Sequence, residues 1–315
     1  MKKYRPLSLK KVRRYSLKTR KSKVEVSLAS GTHEKGGSFA DFLDTLPDIL
    51  AARDIVAVAD AVVTARKNQR PVILAMGAHP IKVGLSPIII DLIQGGVITA
   101  VAANGAAIIH DFELAFIGMT SEDVAPELAT GAFGMAEETG RFINIAIKNG
   151  VRKGLGIGSA IGEYIARGKA FRHRDKSIFA AAYDRGIPVT VHVAVGTDII
   201  HMHPEADGSA IGEGSMRDFR LLASVVSDLE GGVFINLGSA VIIPEVFLKA
   251  LTIARNLGHR VDAITTVTLD FIRQYRALEN VCKRPTMKGG RSYFITGHHE
   301  INLPLLAAII KERMT

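Results

Sequence analysis

Residues 97–118, VITAVAANGAAIIHDFELAFIG, decide how the chain is read. A short apolar run ends in Asn104-Gly105, and three ionisable side chains, His110, Asp111 and Glu113, follow within four positions of one another. Such a run, bounded by a turn signal, reads as a buried strand, and the stretch after it reads as a helix. The charged cluster begins six residues after Asn104, too far into the helix to be its cap. Positions 110 and 113 share a helical face, because residues three apart are neighbours, whereas Asp111 points elsewhere. A His and a Glu on one face beside a strand end can act as a proton-transfer pair or bind a cationic substrate.

The same alternation extends outward in both directions. Strand-like runs occur at 71–77 (PVILAMG), 97–105, 187–196 (IPVTVHVAVG), 232–240 (GVFINLGSA), 261–270 (VDAITTVTLD) and 292–297 (SYFITG). Helix-like stretches such as SPIIIDLIQ, SMRDFRLLASVVSDL, PEVFLKALTIARN and INLPLLAAIIKERM lie between or after them, and residues 38–69 are helical with a break near Pro47. Short β-rich runs separated by helices define βαβ units. The expected fold is α/β, a Rossmann-like parallel sheet with helices on both faces. No repeat, low-complexity tract or linker follows residue 40, so a basic N-terminal arm (1–36) and a single domain (37–315) are expected.

In open parallel sheets, ligands bind beyond the carboxyl ends of the strands. Those ends are chemically rich here: Gly77 and His79; Asn104 and Gly105; Asp198, His201 and His203; Gly238 and Ser239; Gly297, His298, His299 and Glu300. Six of the ten histidines lie at or just past a strand end, which marks that edge as the site. His33, His173, His192 and His259 read instead as exposed or hydrogen-bonded imidazoles. A metal-dependent lyase or hydrolase is one alternative, with His201, His203 and His299 as ligands, although no H-E-x-x-H spacing occurs. A non-enzymatic nucleotide-binding protein is another.

Composition narrows the classes further. The net charge of +9 is concentrated at the start: residues 1–24 hold eleven Lys or Arg and no Asp or Glu. From residue 25 on there are 29 basic and 31 acidic residues. The arm reads as a solvated or subunit-docking extension; contact with RNA or anionic lipid, or organelle targeting, are its other readings. A body without tryptophan or an aromatic platform argues against a nucleic-acid partner. No apolar run reaches membrane-span length, and the first residues lack an apolar signal core. The single cysteine, Cys282, excludes an internal disulfide framework and a multi-cysteine metal cage, and fits a reducing cytoplasm.

A glycine-rich stretch, KGLGIGSAIGEYI (153–165), imitates a dinucleotide fingerprint. Its spacing, Gly156-x-Gly158-x-x-x-Gly162, is one residue too long, and no strand precedes it. The expected reading is a loop leading into a helix. The phosphate loop GxxxxGKS and the nucleophile elbow G-x-S-x-G are both absent.

Taken in order, the strand-end units PVILAMGAHPIKVGLS, VITAVAANGAAIIHDFE, IPVTVHVAVGTDIIHMHP, VFINLGSAVIIPEVFLKAL and GHHEINLPLLAAII resemble deoxyhypusine synthase and its bacterial homologues across most of residues 65–312. HDFELAFIGMTSEDV also resembles the NAD-binding domain of the ornithine cyclodeaminases of arginine breakdown. The resemblance implies bound NAD, held by separate strand ends, and a homotetramer built as a dimer of dimers. It places Gly77, Asn104, Gly105, Asp198, Gly238 and Ser239 at cofactor contacts, with Asp198 accepting from a ribose hydroxyl. It makes His203 a base beside the nicotinamide and puts Glu113 or Asp111 against a cationic amine. His79, Gly297 and His298 extend the expected cofactor set, and Glu300 the substrate set. The implied chemistry is NAD-dependent oxidation of an amine, a polyamine or amino acid, to an imine, followed by transfer or elimination. The family's Trp-Gly-Lys has no counterpart in LDFIRQYRALENVCKRPTMKGGRSYF; Lys288 is nearest to its imine-forming lysine, with Lys283 second. A small amine is therefore the expected substrate rather than a lysine on a protein.

Overall fold

The computed structural model describes residues 3–314. The chain divides into two compact units, one ending at Arg53 and the other beginning at Asp54. The first holds three single 3-10 turns and the helix α1 (Phe39–Asp44). A capping box starts α1: the Ser38 hydroxyl accepts from Asp41 N–H while the Asp41 carboxylate accepts from Ser38 N–H. The basic side chains before it are exposed, and none of its turns buries a residue. The helix α2 (Leu50–Lys67) follows the break at Pro47 and enters the second unit.

The second unit alternates strand and helix: β1 (Val72–Met76), α3 (His79–Lys82), α4 (Ser86–Gln94), β2 (Ala100–Asn104), α5 (Gly105–Ile117), α6 (Val124–Thr130), α7 (Glu137–Arg152), α8 (Ile157–Arg167), α9 (Ile178–Asp184) and β3 (Val189–His192). It continues with α10 (Gly208–Ser227), β4 (Val233–Leu237), α11 (Ile242–Asn256), β5 (Thr265–Asp270), the single turn α12 (Tyr275–Ala277), β6 (Arg291–Thr296) and α13 (His299–Arg313). All six expected strands form, and the sheet is wholly parallel in the order β3-β2-β1-β4-β5-β6. The order reverses between β1 and β4, the topological switch point of a Rossmann-like sheet. No helix among the described residues is long and apolar enough to cross a membrane.

Residue size sets how the layers meet. β1 and β4 are buried along their whole length, and one face of the sheet presents Ile73, Ala75, Ala100, Ala102 and Phe234 to α10 and α11. The alanines let the helices settle close, and Phe234 stacks on Phe247 of α11 with ring centres 3.7 Å apart. α4 packs against both α9 and α13 on the other face. Beyond β3, the glycines of the false fingerprint turn out to serve packing. As expected, a short loop (153–156) leads into a helix, α8, and a Cβ on Gly158 would overlap the Val189 carbonyl. A Cβ on Gly162 would come within 2.7 Å of the Phe179 carbonyl.

One buried carboxylate ties this edge together. Oδ2 of Asp218, on α10, accepts from Gly158 N–H at 2.9 Å and from Val191 N–H at 2.8 Å, joining α8 to β3. Burial outweighs these bonds and pushes its pKa up to about 7 from 3.8. Between those two values the folded chain holds more protons than the unfolded one, so raising the pH from about 4 to about 7 lowers stability. Asp218→Asn, whose amide oxygen can accept both bonds, is expected to flatten part of that fall in thermal melts. Asp111, also raised to about 7 by burial, and Asp198, raised to about 6, will keep the remainder. Asp218→Ala should melt lower at every pH, because each buried N–H left unpaired costs roughly 1–3 kcal/mol.

Candidate functional site

Two groups of side chains gather at the carboxyl edge of the sheet. The first surrounds the switch point. Gly77 and Gly238 end β1 and β4, and a Cβ on Gly77 would stand 2.7 Å from the Gly238 carbonyl, so the two backbones must pass without side chains. Gly238 has φ +67°, and its open side is covered by the ring of His299. His299 is fully buried, and neither ring nitrogen has a hydrogen-bond partner. Burial lowers its pKa first, with Asp270 opposing and His79 adding to the fall. His79 lies 5.4 Å from it, ring to ring, and Phe271 lies 5.8 Å from His79. Asn236 Oδ1 and Asn302 Nδ2, from β4 and α13, are also buried and unpartnered. Ser239 Oγ accepts from Ile243 N–H at 3.3 Å, and the amino end of α11 opens beside it.

The second group lines a cavity of about 670 Å³ walled by α5, α6, the start of α7 and the loop after β3. His110 and Glu113 both face it, as the helical spacing requires. Thr120 joins them: its hydroxyl is 2.5 Å from Glu113 Oε2 and 2.7 Å from His110 Nδ1. A hydroxyl has one proton, and a carboxylate only accepts, so Thr120 donates to Glu113 and His110 donates through Nδ1. That assignment leaves His110 Nε2 with its lone pair. Thr139 donates to Glu113 Oε1 at 2.9 Å and completes the relay. The His110 pKa is lowered, chiefly by burial; Glu113 opposes the shift and Lys82 adds to it.

Asp198 also lines the cavity. Its carboxylate lies over the first residue of α5, where a Cβ on Gly105 would overlap it, and its Oδ2 is buried without a partner. Burial raises its pKa to about 6, against a bond from Thr197. Asn104 caps α5, accepting from Ala107 N–H at 3.1 Å. The lining carries four carboxylates, on Glu113, Glu122, Glu138 and Asp198, against the single ammonium of Lys82.

Other expected site residues lie elsewhere. Asp111 is fully buried on the far side of α5, where it accepts from the Ser177 hydroxyl and from Ile178 N–H at 2.7 Å. It pins the start of α9 and does not reach the cavity, because one residue along a helix turns the side chain about 100° away. His203 packs on Gly140 and holds the Gly134 carbonyl through Nε2 at 2.8 Å, behind the cavity wall. His201 accepts from Gly196 N–H. Lys288 is exposed before the first residue of β6, at the amino end of the sheet, and Lys283 pairs with Glu279 on the surface. His298 and Glu300 are exposed and 3.7 Å apart, and Gly297 donates to the Asp270 carbonyl.

His201 and His203 follow β3, and His299 follows β6. His299 turns back over Gly238 beside His79, whereas His201 and His203 face the Gly196 N–H and the Gly134 carbonyl, so the three do not come together. Among the described residues no group of three His, Cys, Asp or Glu is placed to hold a metal ion. His192 is bonded to Thr190, and its burial drives its pKa down to about 4; His33, His173 and His259 are exposed, as expected. Sequence reasoning missed Lys82, Thr120 and Thr139. Lys82 was within reach, three residues after His79 on one short helix. The threonines come from 7 and 26 residues beyond Glu113 and carry no local signal.

No protein-family model matches the chain, and no curated protein matches it in sequence. Solved structures do. A conserved protein from Methanococcus maripaludis S2, named by inference as LOR/SDH, aligns at TM-score 0.54 and 19% identity over 93% of this chain and 75% of that one. AgrE, solved with ornithine and NAD+, aligns at TM-score 0.52 and 16% identity over 82% of this chain and 32% of that one. An inferred deoxyhypusine synthase from Entamoeba histolytica aligns at TM-score 0.51 and 11% identity, over 89% and 96%. The likeness at these identities is one of fold, and the chain spans about a third of the length of AgrE.

The overlap at Gly105 gives a direct check of the Asp198 position. Gly105→Ala is expected to destabilise the chain by roughly 1–3 kcal/mol through overpacking. Asp198→Ala in the same chain should recover most of that loss, a coupling read from thermal melts of both single variants and the double. Additive losses would place the carboxylate away from Gly105.

Proposed function

We propose that the protein is an NAD-dependent enzyme that oxidises a small cationic amine, a polyamine or amino acid, to an imine, followed by transfer or elimination. The observation that carries this reading is the cavity beside α5, where four carboxylates face one ammonium and a histidine keeps a free lone pair. A negative lining favours a cation. The fold shared with NAD-bound AgrE and with the inferred deoxyhypusine synthase supports the cofactor as an analogy of architecture.

The residues present fit NAD. Unpartnered buried polar atoms on Asp198, Asn236, His299 and Asn302 line the carboxyl edge of the sheet, and bare backbone at Gly77 and Gly238 allows close approach. Asp198 would accept from a ribose hydroxyl, and the amino end of α11 beside Ser239 would face the phosphates. NAD, when bound there, supplies the acceptor for a hydride. The protein's own groups do the rest. His110 Nε2 takes the proton released as the amine becomes an imine, Glu113 orients that imidazole through Thr120, and Glu122 and Glu138 hold a second ammonium. His203 is a positioning residue in this scheme: it fixes the Gly134 carbonyl and so the segment that carries Glu138 and Thr139.

An exposed apolar rim of Ile117, Met119, Val124, Leu128 and Met135 borders α5, α6 and the start of α7. It supports closure of the site by a second copy, within a tetramer made of two dimers.

Mass spectrometry of small molecules released on denaturation is expected to recover NAD near one per chain, directly or after soaking; two blanks would remove the cofactor from the reading. His110→Ala should retain NAD yet lose turnover in a screen of amines followed by nicotinamide absorbance. In the wild type, turnover should rise with pH through an apparent value below 6.5 and level off above it, because the neutral imidazole is the active form. A rising limb that persists in His110→Ala would assign the base elsewhere.

A further inference from the structure

We propose that a second cavity, between the carboxyl-terminal halves of α7 and α8, is a binding site for a nucleoside phosphate. It measures about 610 Å³, within the range of small-molecule sites, and lies beyond the β3 edge of the sheet. α7 connects it to the first cavity: the first turn of that helix borders one and the last turn borders the other, about 20 Å along its axis. None of its lining residues belongs to the carboxyl edge of the sheet, so the proposal stands apart from the NAD reading.

Charge is the first argument. Arg152, Lys153, Arg167 and Lys169 all line the cavity, and Glu163 is the one acidic residue among them. Basic residues commonly end helices, where they offset the dipole. The two helix ends contribute about half a negative charge each, and Glu163 adds one. Four cations exceed that total by roughly two charges. Lys153 is paired with Glu163 at 3.1 Å, whereas Arg152, Arg167 and Lys169 have no carboxylate partner among the described residues. A phosphate monoester or diphosphate supplies the missing negative charge, and guanidinium groups suit it by bidentate geometry.

Shape is the second argument. A Cβ on Gly150 would overlap Ala160, so the two helices cross nearly in backbone contact there, and the groove opens beyond that crossing. Its floor is aromatic: Tyr164 and Phe171 meet edge to face at 5.7 Å. Phe171 is held from behind by Phe112 at 5.3 Å and by Phe116 at 5.7 Å, both of which line the first cavity. The floor is therefore fixed before any ligand arrives, and the two cavities share one aromatic wall. The Arg167 guanidinium lies 5.8 Å from the Tyr183 ring centre, which steadies it at the rim. A flat ring against Tyr164, with phosphates toward Arg152, Arg167 and Lys169, uses both features.

The test is calorimetric titration of ADP into the full-length protein with saturating NAD present, which keeps any strand-end nucleotide site occupied. The expected result is one ADP per chain, an affinity at least tenfold weaker in the double variant R167Q/K169Q, and near-normal affinity in R167K/K169R. Inorganic pyrophosphate should bind at least tenfold more weakly than ADP, because it lacks the ring. Absence of ADP binding, or unchanged binding in R167Q/K169Q, would overturn the site; equal affinity for pyrophosphate would overturn the nucleoside half of the assignment. Both substituted side chains are exposed, and Lys169→Glu alone reads the same charge if the double variant misfolds.

Discussion

Parallel strands cannot be joined by a tight turn, and the rest of this structure depends on that constraint. Each of the five connections must carry the chain back to the starting edge, and each does so through at least one helical segment. Those segments cover both faces of the sheet, which is why β1 and β4 are buried along their whole length and why neither face is free to hold a ligand. The carboxyl edge remains, where strands end and helices begin. Crossovers on opposite sides diverge at β1 and β4, and the crevice opens between them.

Close approach at that edge is allowed by what is missing. Gly77, Gly105 and Gly238 have no side chain where one would meet a neighbouring carbonyl, carboxylate or imidazole. The same economy operates beyond β3, where Gly150, Gly158 and Gly162 let α7, α8, α9 and β3 settle against one another. Polar groups caught in these tight places are bonded where they serve structure, as Asp111 and Asp218 are, each holding backbone N–H groups of another element. At the carboxyl edge several are unpartnered: Asp198 Oδ2, Asn236 Oδ1, Asn302 Nδ2 and both ring nitrogens of His299. Burying a polar atom without a partner is costly, and Ser86, Asn144 and Thr266 carry others outside this group.

The cavity beside α5 shows how neutral hydroxyls organise charged groups. Thr120 and Thr139 occupy both oxygens of Glu113, and Thr120 dictates which nitrogen of His110 carries the proton. Burial and the Lys82 ammonium together hold that imidazole neutral. A neutral imidazole with a free Nε2 is thereby prepared by its surroundings rather than by any sequence motif.

By itself the sequence determined the six strands, their parallel arrangement and the helix break at Pro47, because strand runs of Val, Ile and Ala between amphipathic helices have few alternatives. It also placed His110 and Glu113 on one face and set Asp111 apart, since helical spacing is local and rigid. It failed where contacts are remote. Nothing local to Asp111 says that Ser177, 66 positions away, will seal it inside, or that His203 will turn to the Gly134 carbonyl. Histidines clustered along the chain at strand ends proved to fall in separate groups, His299 with His79 over Gly238 and His203 against Gly134 and Gly140, because the tertiary fold decides which ends are neighbours. The tertiary structure alone decided that grouping, and with it the Thr120 relay, the gathering of four carboxylates and the aromatic wall between the two cavities. Each of these is a meeting of segments whose separation in sequence carries no information about their distance in space.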